Sequence, residues 1–173
     1  MKIGIDISQM AYEKTGVASY LKNLVESLLK IDEENEYVLF FSSLRGSSPN
    51  FQLPISNYQF KRFYFPPTFL DLLWNRLHLC PIEWLIGDVD IFITSDWTEP
   101  PTRKAKKATI LYDLIVYKYP QETAMKIVET QKRKLEWVKK ENKMIFCISE
   151  STKKDAMEIL GIEEKRLKVI PTR

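Results

Sequence analysis

Short apolar runs rich in β-branched residues alternate along this chain with stretches whose apolar residues recur every three or four positions. That alternation restricts the possible folds more than any other feature. The first unit is "IGIDI", residues 3–7, followed by a loop and then by a segment from Val17 in which Tyr20, Leu21, Leu24, Val25, Leu28 and Leu29 write one helical face. Lys22, Asn23, Glu26 and Lys30 occupy the other face. Ile3, Ile5 and Ile7 read as a strand buried on both sides, which is the situation of a parallel sheet.

The pattern repeats. "YVLFF" (37–41) and the alternating "YQFKRFYF" (58–65) read as strands, and "TFLDLLWNRLHL" (68–79) reads as a helix. "VDIFIT" (89–94) and "ATILYDL" (108–114) are further strands. A long helix is expected from about Glu122 to Glu141, with Ile127, Leu135 and Val138 among its apolar positions and many lysines on its exposed side. "MIFCIS" (144–149), "STKKDAMEILG" (151–161) and "RLKVIP" (166–171) give strand, helix and strand. The expected fold class is α/β, an open parallel sheet with helices on both faces. With 173 residues, 45% of them apolar, and no linker-like stretch, the chain suits one domain with a sizeable core.

Composition excludes several functions. A net charge of +3 is too small a basic excess to indicate nucleic acid. Cys80 and Cys147, far apart and inside apolar stretches, read as buried reduced thiols, which favours the cytoplasm. "MKIGIDI" starts a strand with no signal-peptide core, and no run approaches the length of a transmembrane helix. His78 is the only histidine and lies on an expected helical flank, so no metal site is expected.

In parallel α/β sheets, ligands bind beyond the carboxyl ends of the strands. The residues to weigh are therefore Ser8 to Gly16, Ser95 to Glu99, Tyr112 and Asp113, and Ser149 to Thr152. Gly16 stands where a loop becomes a helix. It either relieves a turn or lets a phosphate approach the free N–H groups of the helix start. Ser149 or Ser151 would cap the next helix. Tyr112 is otherwise an aromatic packing at a strand end, and Asp113 a turn-capping carboxylate. The basic runs "TRKAKK" (102–107) and "KRKLEWVKKENK" (132–143) read as solvated faces.

Taken in order, "IGIDI", "TGVASYLKNLVESLL", "NEYVLFF", "VDIFITSDWTEPP", "ATILYDLIVYKYPQ" and "IFCISESTKKDAMEILGIEEKRLKVIP" resemble the N-terminal domain of retaining glycosyltransferases with the two-domain GT-B architecture, the group called glycosyltransferase family 4. The resemblance spans nearly the whole chain. It implies a Rossmann-like domain over residues 1–173 forming the acceptor-side half of a cleft, with the donor-binding domain absent from this chain. It also implies a nucleotide-sugar donor, with Gly16 and Val17 in the loop near its diphosphate. Tyr112 and Asp113 would stand beside the transferring sugar as the catalytic positions. Asp96, Trp97, Glu99, Ser149, Glu150 and Thr152 would face the sugar or lipid-linked sugar acceptor. Neither a metal nor a cofactor is implied.

The chain departs from the family pattern at two places. Ala18 stands where a second glycine is frequent, and Tyr112 where a histidine usually precedes the aspartate. With a reference pKa near 10, against roughly 6.5 for imidazole, a phenol does not replace histidine as a proton carrier at neutral pH. Because many relatives act on lipid-linked acceptors, the lysine-rich runs with Trp137 would also suit weak contact with the inner membrane face. The competing expectations are half of a glycosyltransferase site, inactive without its second domain, and a non-catalytic binding module or one subunit of a split enzyme. Fold alone does not separate them.

Overall fold

The computed structural model describes residues 1–12, 14–46, 49 and 57–171. Seven strands form one all-parallel sheet in the order β3-β2-β1-β4-β5-β6-β7. They are β1 (Lys2–Asp6), β2 (Glu36–Ser42), β3 (Tyr58–Phe63), β4 (Ile91–Thr94), β5 (Lys106–Leu111), β6 (Asn142–Cys147) and β7 (Leu167–Val169). The helices are α1 (Gly16–Ile31), α2 (Pro67–Leu70), α3 (Glu83–Ile86), α4 (Ile115–Lys118), α5 (Met125–Glu141) and α6 (Glu150–Leu160). This is a Rossmann-like open sheet, in agreement with the alternation of the sequence.

Register assigns the faces. Ile5 pairs with Leu39 and Ile93, and α1 covers that side, burying Leu21, Val25 and Leu29 against Ile5, Ile7, Leu39, Phe41 and Ile110. The intervening residues point the other way. Val38, Phe40 and Phe92 meet Trp74, Ile82 and Ile86. Farther along the same face, Leu111, Ile145 and Cys147 meet Leu135 and Val138 of α5 and Ala156 and Leu160 of α6. β2 is buried from Tyr37 to Ser42 because both its sides are covered, whereas β3, an edge strand, alternates.

Local chemistry sets the ends. Thr15 caps α1, its Oγ1 accepting from Ala18 N at 3.2 Å. Asp32 closes the turn into β2 by accepting from Glu34 N, Asn35 N and the Tyr37 hydroxyl. Those bonds, the Tyr37 hydroxyl first, hold its carboxyl down at about 2.

Several boundaries differ from those expected. The helix expected over 68–79 is α2 followed by a π-helical turn, Asp71–Arg76, and both His78 and Cys80 have positive φ (51° and 64°). Tertiary contacts impose that ending. His78 stacks on Trp137 of α5 with ring centroids 3.5 Å apart, its Nε2 lies 2.9 Å from Glu141 Oε1, and Trp74 Nε1 donates to Cys80 O at 3.0 Å. The short helices α3 and α4 were not anticipated, and α5 starts at Met125 rather than Glu122. β5 ends at Leu111, three residues earlier than expected, which puts Tyr112 and Asp113 in the loop beyond the sheet. Both cysteines are free. Cys147 is buried, its thiol pushed up to about 11 by desolvation, but Cys80 is only half-buried.

Among the described residues, no helix is long and apolar enough to cross a membrane, and no group of three or more His, Cys, Asp or Glu side chains is arranged to hold a metal ion.

Two stability predictions follow from close packing. A Cβ at Gly4 would stand 2.6 Å from Phe92 Cδ2 and 3.0 Å from Ile86 Cδ1, both in the core. Gly4→Ala should therefore cost about 1–3 kcal/mol in urea unfolding, and an unchanged midpoint would show that the core yields there. Glu83 is the second case, its Oε1 accepting from the backbone N–H groups of Arg103, Lys104 and Ala105 at 2.8, 3.0 and 3.2 Å. Burial works against its charge, but the backbone donors prevail and hold the carboxyl below its ordinary 4.5. A depressed folded pKa contributes stability that is present above the unfolded value and lost as pH falls through the folded one. Glu83→Gln should therefore flatten the acid limb of a stability-against-pH curve, and identical limbs would refute this.

Candidate functional site

The strand order reverses direction at β1 and β4. The chain leaves β1 toward β2 on one side and β4 toward β5 on the other, which opens a crevice at the carboxyl ends of these strands. A cavity of about 310 Å3 lies there. Val17 borders it from α1, Asp96 and Trp97 from beyond β4, Tyr112 and Asp113 from beyond β5, and Gln131 and Lys134 from α5.

Gly16 begins α1. Its φ is not in the left-handed region, and a Cβ built on it would meet nothing within 4 Å. Neither the turn nor the packing of the chain requires a glycine at this position. The N–H groups of Gly16 and Val17 lie between the Thr15 cap and the capped N–H of Ala18, where helix geometry supplies no intrahelical acceptor, and the positive end of the helix dipole lies with them. The methyl of Ala18, where a second glycine is frequent in the resembling family, is buried.

Tyr112 is 8% exposed. Its hydroxyl is 3.1 Å from Ser95 Oγ, and its ring meets Tyr20 edge to face with centroids 5.8 Å apart. Burial pushes the phenol far above its ordinary value, and the nearby Asp96 and Asp6 carboxylates push the same way, so Tyr112 stays neutral and acts only as a hydrogen-bonding group. Asp113 is exposed and caps the start of α4, Oδ1 accepting from Ile115 N at 3.1 Å. Asp96 is half-buried and accepts from Gln131 Nε2 at 3.0 Å. Burial raises its carboxyl, while Lys134 and the Gln131 bond work against the rise. Trp97 donates from Nε1 to Gln9 Oε1 at 2.8 Å. Its ring is also a wall of an adjoining groove of about 420 Å3, where Tyr12, Leu72 and Ile127 give apolar surface and Arg76 and Lys126 positive charge.

Four of the expected acceptor-side residues are placed elsewhere. Glu99 has no exposed surface and lies behind the sheet. Its Oε2 accepts from Thr94 Oγ1 at 2.6 Å and its Oε1 pairs with Lys107 Nζ at 3.0 Å, so it anchors the loop that returns from β4 to β5. Ser149 caps α6, Oγ accepting from Thr152 N at 3.0 Å, and Thr152 Oγ1 donates to Tyr112 O at 3.0 Å. Both therefore support Tyr112 from its backbone side. Glu150 is exposed in the first turn of α6 and does not border the cavity.

The sequence reading missed Lys134. Taken there as part of a solvated basic face, it is 2% exposed, and its ammonium donates to Ser95 O and, at 3.1 Å, to Thr109 Oγ1. Lys107, in the other basic run, is likewise buried and bridges Glu99 to Glu141 at 2.7 Å from the latter. The signal was present in the period. Gln131, Lys134, Leu135 and Val138 follow the spacing of one helical face, and the last three are buried on the side that α5 turns inward.

Compared with known proteins, the chain matches no family model and no curated protein.

Because nothing in the chain crowds Gly16, Gly16→Ala should leave thermal stability unchanged or raise it by up to about 1 kcal/mol through lower unfolded-state entropy and better helix propensity. A drop in melting temperature would show that the glycine serves the fold.

Proposed function

We propose that this chain is the acceptor-side half of a nucleotide-sugar-dependent glycosyltransferase, completing its active site across the crevice with a donor-binding domain. The observation that carries this reading is Gly16. It opens a sixteen-residue helix whose next residue, Val17, borders the same cavity as Asp96 and Tyr112, with neither strain nor crowding to account for the glycine. A residue without a Cβ at an uncrowded helix start is explained by a ligand that approaches the backbone, and the chemistry offered by that start is anion binding. A diphosphate leaving group has that chemistry, and its departure needs charge stabilisation in a closed cleft.

In this reading Trp97 offers a flat aromatic wall, Asp96 and Asp113 accept from hydroxyl groups, and Tyr112 donates or accepts one hydrogen bond as a neutral phenol. The paired donor domain supplies the cationic groups for the phosphates. Tyr112 then orients a sugar hydroxyl and does not carry a proton.

The test is kinetic. The 173-residue chain should turn over no nucleotide-sugar by itself. In the parent enzyme carrying both halves, Gly16→Val should lower turnover more than Tyr112→Phe, whose missing hydroxyl is worth about 0.5–1.5 kcal/mol, or up to roughly tenfold in rate. Retention-type transfer by the chain alone, or a Gly16→Val enzyme with unchanged donor KM and kcat, would overturn the proposal.

A further inference from the structure

Two side chains one turn apart on α5 reach the segment that follows β4. Gln131 Nε2 donates to Asp96 Oδ1 at 3.0 Å, and Lys134 Nζ donates to the carbonyl of Ser95. Residues three apart share a helix face, so the pair grips two consecutive residues of one loop. Lys134 also holds Thr109 Oγ1 at 3.1 Å, tying the carboxyl end of β4 to β5, and the Ser95 hydroxyl in turn meets the Tyr112 hydroxyl at 3.1 Å. Asp96, Gln131, Lys134 and Tyr112 all border the 310 Å3 cavity.

The charges around this clamp are few. Burial pushes the Lys134 ammonium below its ordinary value, and the facing carboxylates of Glu99, Asp96 and Asp6 oppose that, while the Lys107 ammonium adds to it. Asp96 is faced by Lys134 and Gln131 from α5 and by Asp113 from beyond β5. Among the described residues, no hydrogen bond occupies Asp96 Oδ2. Among the described residues, Lys134 is the only cationic side chain bordering the cavity, and its ammonium is already engaged by Ser95 and Thr109. An anionic ligand beside Asp96 would therefore meet two carboxylates, whereas an uncharged polyol would find hydrogen-bond acceptors.

We propose that Lys134 is a positioning residue of the cleft: with Gln131 it clamps Ser95 and Asp96, and its charge keeps Asp96 working as an acceptor for a hydroxyl of an uncharged polyol. This rests on the glycosyltransferase reading only in taking that polyol to be the sugar acceptor. Desolvation alone drives the Asp96 carboxyl toward its protonated form, which donates rather than accepts, and the buried ammonium opposes this.

The test separates the two claims. The Asp96 carboxyl is followed by 13C NMR against pH, assigned with Asp96→Asn, in the native chain and in Lys134→Met and Lys134→Arg. The midpoint should rise by about 1 pH unit or more in Lys134→Met and stay near the native value in Lys134→Arg, as expected for loss and retention of a close charge. An unchanged midpoint in a folded Lys134→Met overturns the positioning role. Should Lys134→Met fail to fold, the native chain decides. The 15N resonance of Lys134 Nζ should move through the Asp96 titration, and a flat resonance overturns the proposal. The ligand class is read separately at pH 7 from the Trp97 indole N–H signal during titration with methyl glycosides. Binding should weaken about tenfold in Lys134→Met and persist in Lys134→Arg. A native chain that binds no glycoside overturns the polyol class and the acceptor reading with it, while the titration still judges Lys134.

Discussion

Glu99 places a carboxylate with no exposed surface between the sheet and α5, and the far layer is organised around satisfying it. Thr94 donates to it from β4 and Lys107 pairs with it from β5. The Asn142 amide in β6 lies 2.7 Å from Oε1. Lys107 continues to Glu141 at the end of α5, and Glu141 to His78 at the end of the π-helical segment. A buried charge without partners is untenable, and removing one member of such a set is costly because it leaves the others unpaired. The network therefore fixes where the loop from β4 runs, how α5 lies on the sheet, and where the helix after Pro67 must stop.

The cleft depends on the same layer. The chain returning through Glu99 begins at Ser95 and Asp96, so anchoring one end of the loop leaves its other end at the carboxyl edge of the sheet, within reach of α5. Gln131 and Lys134 then hold Asp96, Ser95 meets the Tyr112 hydroxyl, and Thr152 takes the Tyr112 carbonyl. A group meant to receive a ligand hydroxyl is useful only if its own position is settled beforehand, because ordering it on binding would subtract from affinity. Here the supporting bonds join two strand ends and two helices. The cavity reaches α1 on the opposite face of the sheet through Val17.

The residues that the sequence misjudged share a cause. Lys134 and Lys107 sit in lysine-rich runs, and composition reads such runs as solvated. Their neighbours Lys106 and Lys143 do face solvent. What distinguishes the buried pair is a set of acceptors, the Glu99 and Glu141 carboxylates, the Thr109 hydroxyl and the Ser95 carbonyl, which meet only when β4, β5 and α5 are assembled. Glu99, read as a cleft residue because it follows a strand, turns inward for the same reason. Ser149 behaved as its local pattern implied because an N-cap is satisfied within three residues.

The sequence by itself determined the alternation of buried strands and amphipathic helices, the parallel sheet that this alternation requires, and the cap at Ser149. All of these rest on side-chain period or on bonds between residues close in the chain. Tertiary structure alone decided that the helix after Pro67 widens into a π turn and stops before His78. It also decided which groups the buried Lys134 pairs with, and that Glu99 leaves the cleft. Those outcomes are set by pairing buried charge with partners up to 63 residues away, as in His78 with Glu141, and no local pattern encodes a partner at that distance.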